Sequence, residues 1–215
     1  RERTISDAFE QSTSGKSLVN MMDLDLLVGS GGVLSHAPRR EQSTKMLIDA
    51  FLPEGITQLA VDSIFMMPQL GVLANVTDAD FSDEAKKAAL EVFQKDCLIR
   101  LGTCIAPVGS AKDGEVVIEA EFTLSDGSVL NKTLLKNELT RIEVPYELVT
   151  AKITPSKKMD IGSGDGQELT STIYGGEVGI ILDGRNRPIE IPNDQGLRLD
   201  LLKKWPNAIS EYPKV

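Results

Sequence analysis

Histidine is almost missing from the chain: its 215 residues hold one, His36. That excludes a His-rich zinc or iron centre. It also leaves a Ser–His–Asp set with His36 as its sole base, and nothing in the sequence fixes that residue's neighbours. Cysteine is scarce too. Cys97 and Cys104 are too few for a secreted disulfide scaffold, lack metal-ligand spacing and read as reduced core thiols that would face opposite ways on one strand. Cations are in deficit, with 23 Lys and Arg against 32 Asp and Glu and a formal charge of -9. A nucleic-acid or anionic-membrane surface needs clustered cations, so both partner classes are set aside. No apolar run approaches ~18 residues and no signal peptide is visible, which points to a soluble, cytoplasmic protein. The chain opens at Arg1 rather than Met, as a fragment would.

What is present is ordinary globular composition, 41% hydrophobic and 26% charged, enough for one large domain or two small ones. The two halves differ in pattern. Ile5, Ala8 and Phe9 hint at a helix in a polar opening segment. Leu24 to Val28 then reads as a buried strand closing on Gly29-Ser30-Gly31-Gly32. From Arg39 a helix is expected, with Leu47, Ala50 and Phe51 on one face and Pro53 and Gly55 stopping it. Gln58 to Asp62 is a second buried strand. A helix near Met67 follows, with Pro68 in its first turn, and another begins at Ser82 with Ala85, Ala88, Ala89, Val92 and Phe93 as its apolar stripe.

After Cys97 the period becomes two. Ile118, Ala120, Phe122 and Leu124 alternate with polar residues, and Ser125-Asp126-Gly127 turns the chain into a strand over 128–135. Further strands are expected at 139–145, 148–153, 169–174 and 178–183, with a turn at 183–186 leading into another at 188–191. A helix from about Asp194 to Trp205 closes the chain, with Leu197, Leu201 and Leu202 apolar. The expected layout is therefore α/β over 1–95, a small antiparallel β barrel or sandwich over 96–192, and a helix and tail over 193–215.

Four features could carry chemistry. A strand ending in Gly29-Ser30-Gly31-Gly32-Val33 lets backbone amides approach a ligand, yet it is neither the dinucleotide fingerprint nor a Walker loop, and a plain strand-to-helix turn fits as well. Asp62 ends its strand where ligand-facing residues lie, or caps the next helix, and His36 either touches a ligand or caps a helix. Asp160-Ile161-Gly162-Ser163 imitates a phosphate loop, but the polar residues before it favour a solvated glycine loop; Asp160 and Asp165 offer too few oxygens for a hard cation. Arg185 and Arg187 flank a turn, either solvated or clamping an acidic partner.

The segments 25–38 (DLLVGSGGVLSHAP), 53–62 (PEGITQLAVD), 70–73, 158–166 (KMDIGSGDG) and 175–192 (GGEVGIILDGRNRPIEIP) follow one another in an order that resembles the glutamate-mutase-associated MutL/GlmL family. The likeness runs from Asp25 to Tyr212. It implies a partial actin-like, ribonuclease-H-like ATPase domain, with Gly29, Ser30, Gly31, Gly32 and Val33 on the adenosine side of an ATP/ADP cleft. It further implies a reactivating role toward an adenosylcobalamin-dependent mutase, whose subunit Arg185 and Arg187 could contact. The superfamily's phosphate loop, an Asp-x-Gly-Ser/Thr turn, has no counterpart before Asp25. The chain thus resembles the C-terminal half of such a protein, with the N-terminal half of the fold as a further partner, no catalytic residue of its own and no residues supporting Mg²⁺. Hydrolysis by this chain alone is not expected. A non-catalytic module that binds a mutase subunit without nucleotide is the alternative, and an independent small-molecule enzyme is a third, weaker one.

Overall fold

The computed structural model describes residues 19–76, 82–185 and 187–211. The helix hinted at by Ile5, Ala8 and Phe9, and Asn186 of the expected turn, lie outside the described residues.

The first strand, β1 (Leu26–Gly29), leads through Gly31 at φ +101° into the one-turn helix α1 (Gly32–Ser35). Helix α2 (Arg40–Phe51) follows, and β2 (Gly55–Asp62) returns parallel to β1. Left-handed Leu52 caps α2, and Pro53 has no amide hydrogen with which to extend it. The buried face of α2 is Ser43, Thr44, Leu47 and Ile48, whereas Phe51 is 45% exposed. That corrects the face expected from Leu47, Ala50 and Phe51. Ser43 Oγ donates to the Leu34 carbonyl at 2.8 Å and Thr44 Oγ1 to that of Arg40 at 3.0 Å, so two polar side chains are buried with their bonds satisfied.

Helix α3 (Met67–Ala74) carries Pro68 in its first turn, and α4 (Asp83–Val92) begins at Ser82, whose Oγ accepts from the Ala85 amide at 3.2 Å. The α4 stripe does not become core. Only Phe93, in the π turn Phe93–Cys97 that follows, is buried, and Val92 is 55% exposed. The residues are apolar at helical spacing, but nothing described covers them beyond α3 and that turn.

The remaining strands are β3 (Leu98–Ala106), β4 (Val108–Gly109), β5 (Val116–Thr123), β6 (Val129–Leu135), β7 (Leu139–Ile142), β8 (Leu148–Pro155), β9 (Met159–Asp160), β10 (Leu169–Tyr174) and β11 (Gly179–Asp183). They build a mixed five-stranded sheet in the order β1-β2-β3-β11-β7, an antiparallel four-stranded sheet β10-β8-β5-β6, and the small pair β4-β9. Leu101 bulges out of β3, because Leu59 pairs with Gly102 and Ala60 with Arg100. No closed barrel forms: the four-stranded sheet is open, and its apolar face lies against the five-stranded one. Ile118, Phe122, Val149, Ile153 and Ile173 meet Ile105, Ile180 and Leu182 in that core. On the opposite face, Leu47 and Ile48 of α2 and Trp205 and Ile209 pack on Leu59, Val61, Cys104 and Ile181.

The molecule is thus helices, a mixed sheet and an antiparallel sheet, in three layers. The boundary expected at residue 95 falls just before β3, which pairs along its length with β2. Residues 188–191 are irregular rather than a strand, since Pro188 and Pro192 supply no amide hydrogen to a ladder. The last helix, α5 (Gln195–Ala208), is capped by Asp194, which accepts from the Leu197 amide at 2.9 Å. It turns Trp205 inward, while the apolar Leu197 and Leu202 are 60% and 44% exposed.

Candidate functional site

The carboxyl ends of the parallel strands β1 and β2 lie side by side, and the glycine turn and Asp62 emerge there. In open sheets this is where ligands approach, because the loops leaving the strands expose backbone. Each glycine has its own reason. A Cβ on Gly29 would sit 2.9 Å from Leu34 Cδ1 and 3.1 Å from Leu47 Cδ2, so that residue lets α2 close on the strand. Gly31 holds φ +101°, which other residues rarely adopt. Cβ atoms on Gly31 or Gly32 would meet nothing within 4 Å, so this backbone faces open space. Val33, next along, is 75% exposed.

Asp62 is fully buried and resolves the choice between ligand and cap. Its Oδ1 accepts from the Met66 amide at 3.0 Å and its Oδ2 from the Met67 amide at 2.8 Å, at the start of α3. Ser30 Oγ reaches Oδ2 at 3.4 Å, and Ser35 Oγ donates to the Asp62 carbonyl. The carboxylate therefore ties the glycine turn to α3. His36 is exposed, and its backbone amide closes α1 on Gly32 O at 3.0 Å.

The loop after β9 is not a phosphate cradle. Asp160 Oδ1 accepts from the Gly162 and Gly164 amides, both at 2.8 Å, so the groups that would face a phosphate are already engaged by the loop's own carboxylate. Among the described residues no cluster of three or more His, Cys, Asp or Glu side chains could hold a metal ion. None of the described helices is long and apolar enough to cross a membrane.

Arg185 and Arg187 lie away from the glycine turn and face inward, neither solvated nor presented to a partner. Arg185 donates through Nε to Asp183 Oδ1 at 2.9 Å, through Nη2 to Oδ2 at 2.8 Å and through Nη1 to Asp49 Oδ1 at 2.8 Å. Arg187 donates to Asp183 Oδ2 at 2.9 Å and to the Pro53 carbonyl at 3.0 Å. The Arg185 guanidinium also lies 5.2 Å from the Trp205 ring, which joins α5 to the sheet. Burial pushes the Asp183 carboxyl upward, but hydrogen bonds from Arg185 and the charges of both arginines outweigh it and hold the group below its ordinary value. The same carboxylate, together with complete burial as the larger cause, pushes the neighbouring Cys104 thiol up to about 12. Cys104 is thus a core thiol and Cys97 a half-buried one in the π turn. Sequence reasoning missed Asp49 and Asp183 as partners; the alternation Asp183-x-Arg185-x-Arg187 was the available signal, but Asp49 is far away in the chain.

No curated protein and no solved structure matches the chain. Residues 4–97 match the family described as MutL protein, a segment that contains the glycine turn, Asp62 and α3 but not the 175–192 motif. Over those residues, somewhat under half of the chain, the sequence is similar to the glutamate-mutase-associated family that its motifs resemble.

Proposed function

We propose that the chain contributes the adenosine side of a nucleotide cleft to an ATP-dependent reactivating factor for an adenosylcobalamin-dependent mutase, built on part of an actin-like ATPase fold. The carrying observation is the open backbone at Gly31 and Gly32, at the carboxyl ends of two parallel strands and inside the family-matched segment. A flat adenine or ribose can lie against a surface free of Cβ atoms. Ser30, anchored on Asp62, and Val33 border that surface. Asp62 acts as a positioning residue: it holds the turn and α3 at one spacing and touches no ligand itself. When bound, ATP supplies the free energy of phosphoanhydride hydrolysis. The phosphate-binding groups and any Mg²⁺ ligands come from the N-terminal half of the same fold, since the Asp160 loop is self-occupied.

A second reading has its own support. Helix α3 reads Met-Pro-Gln-Leu-Gly-Val-Leu-Ala yet buries none of these residues, and Ile64 and Phe65 beside it are 56% and 51% exposed. A mostly apolar helix that the described residues leave largely uncovered is a contact surface, so the chain would be an interaction module for a mutase subunit that never meets nucleotide.

Calorimetric titration with ADP separates the two, using the wild type and Gly32→Val. An added Cβ meets nothing beyond its own neighbouring backbone within 4 Å, so the fold should stay intact while the adenosine surface is filled. Binding lost in the variant supports the cleft. Absence of binding even with the family's N-terminal half added overturns it in favour of the interaction module.

A further inference from the structure

The two large sheets present four edges among the described residues, and three are blunted. β1 and β7 are four residues long, β7 carries Arg141, and β6 carries Lys132 and pairs with β5 through a register shift. The fourth, β10, is Leu169-Thr170-Ser171-Thr172-Ile173-Tyr174. It has no charge, no proline and an unbroken register against β8. Proteins usually protect such an edge, because its unpaired amides and carbonyls template another strand.

The direction of its free groups follows from the ladder. Register continues past the strand to Gly175 opposite Glu147, where the Gly175 amide donates to the Glu147 carbonyl at 2.9 Å. Hydrogen-bonded pairs alternate, so Leu169, Ser171 and Ile173 bond to β8 while Thr170, Thr172 and Tyr174 point their main-chain groups outward. The Tyr174 carbonyl is taken by Thr103 Oγ1 at 2.8 Å. Thr170 and Thr172 are exposed, and their outward amides and carbonyls have no partner among the described residues.

We infer that β10 pairs antiparallel with β10 of a second copy of this chain, about a two-fold axis at Ser171. The strand is chemically palindromic around that residue. With Ser171 opposite itself, Thr170 lies opposite Thr172 of the second copy, and the two exchange both main-chain hydrogen bonds. Leu169 lies opposite Ile173, on the face where Ile173 is buried and Leu169 packs at the rim of the core between the sheets. Each face then matches its own kind, Leu and Ile flanking a Ser171–Ser171 pair over the core and threonine outside, and no like charges oppose. An isologous contact requires this self-complementarity, whereas a general strand acceptor does not. Two four-stranded sheets would become one of eight.

Sedimentation equilibrium of the 215-residue chain tests the pairing. We expect a reversible dimer, weak because one strand pair buries less than a standard interface. Thr172→Pro removes an outward amide and leaves the β8 ladder whole, and it should raise the dissociation constant at least about tenfold, since each dimer loses two hydrogen bonds. Because the proline variant could misfold, Ser171→Cys in a Cys97→Ser background provides an independent reading. Oxidation should crosslink it across the axis far faster than Thr170→Cys, whose self-pair is out of register. A chain monomeric at every concentration overturns the inference. So does a dimer indifferent to Thr172→Pro, and so does equal crosslinking at the two positions.

Discussion

Asp183 shows how one buried carboxylate can organise a region. It accepts from Arg185 and Arg187, and Arg185 passes the connection to Asp49 on α2 and to the Trp205 ring on α5. Removing one partner of a buried pair leaves the other charged and desolvated, so Asp183→Asn should destabilise the protein by about 3–5 kcal/mol in urea unfolding. The pH dependence follows from the sign of the shift. Because the folded-state value lies below the unfolded one, the contribution is fully present above the ordinary aspartate value of about 4 and is lost as pH falls through the folded value. The gap between wild type and Asp183→Asn should therefore hold from pH 7 to 5 and narrow in acid; a gap that widens on acidification would contradict the pairing. Cys104 gives a second test. Buried, with its thiol at about 12, it should not react with a disulfide reagent at pH 8. One thiol, half-buried Cys97, should react with the reagent in the native protein, and two after unfolding. The alternation Asp183-x-Arg185-x-Arg187 is local, but the Asp49 contact was not readable, because a turn arginine looks the same whether it meets solvent or a carboxylate 136 positions away.

At the level of elements, signals written in adjacent residues survived and those needing a neighbour did not. Ser125-Asp126-Gly127 makes the expected hairpin, closed by the Leu124 amide on Ser128 O at 2.9 Å, and Ser82 and Asp194 cap their helices. Leu197, Leu202 and Val92 are as apolar as core residues and stand in solvent, because periodicity names a face without naming what covers it. The glycine turn was found, but Asp62 stayed undecided until Met66 and Met67 amides were seen on its carboxylate. Asp62→Ala should cost about 2 kcal/mol or more, beyond an exposed cap, because Ser30 and the start of α3 lose the same buried acceptor. Gly102 carries a stricter demand. It holds φ +142° beside the β3 bulge, and a Cβ there would lie 1.9 Å from the Gly179 carbonyl oxygen of the paired strand β11. Backbone cannot yield as a flexible side chain does, so Gly102→Ala should lose about 3 kcal/mol or more on thermal unfolding.

The whole molecule is where pattern and topology part. Alternating strand and helix signals followed by a run of strands read as two successive units, because sequence order says nothing about which strands pair. In the structure β3, β11 and β7, all beyond residue 95, complete the sheet that β1 and β2 begin, and the four-stranded sheet rests on them. Both cores draw on both halves: partly buried Ile56 packs at the rim of the core that holds Phe122 and Ile180, while Leu47 and Leu59 share a core with Leu101, Ile181 and Trp205. Cutting between β2 and β3 would take Leu47, Ile48, Leu59 and Val61 from one core and Ile56 from the rim of the other, and leave an eight-residue ladder unpaired. Calorimetry of the intact chain should accordingly give one transition, with calorimetric and van't Hoff enthalpies equal. Residues 96–215 expressed alone should lack a cooperative melt. Two separated transitions, or a folded 96–215 fragment, would mean that the β2–β3 ladder joins two units that are each stable without it.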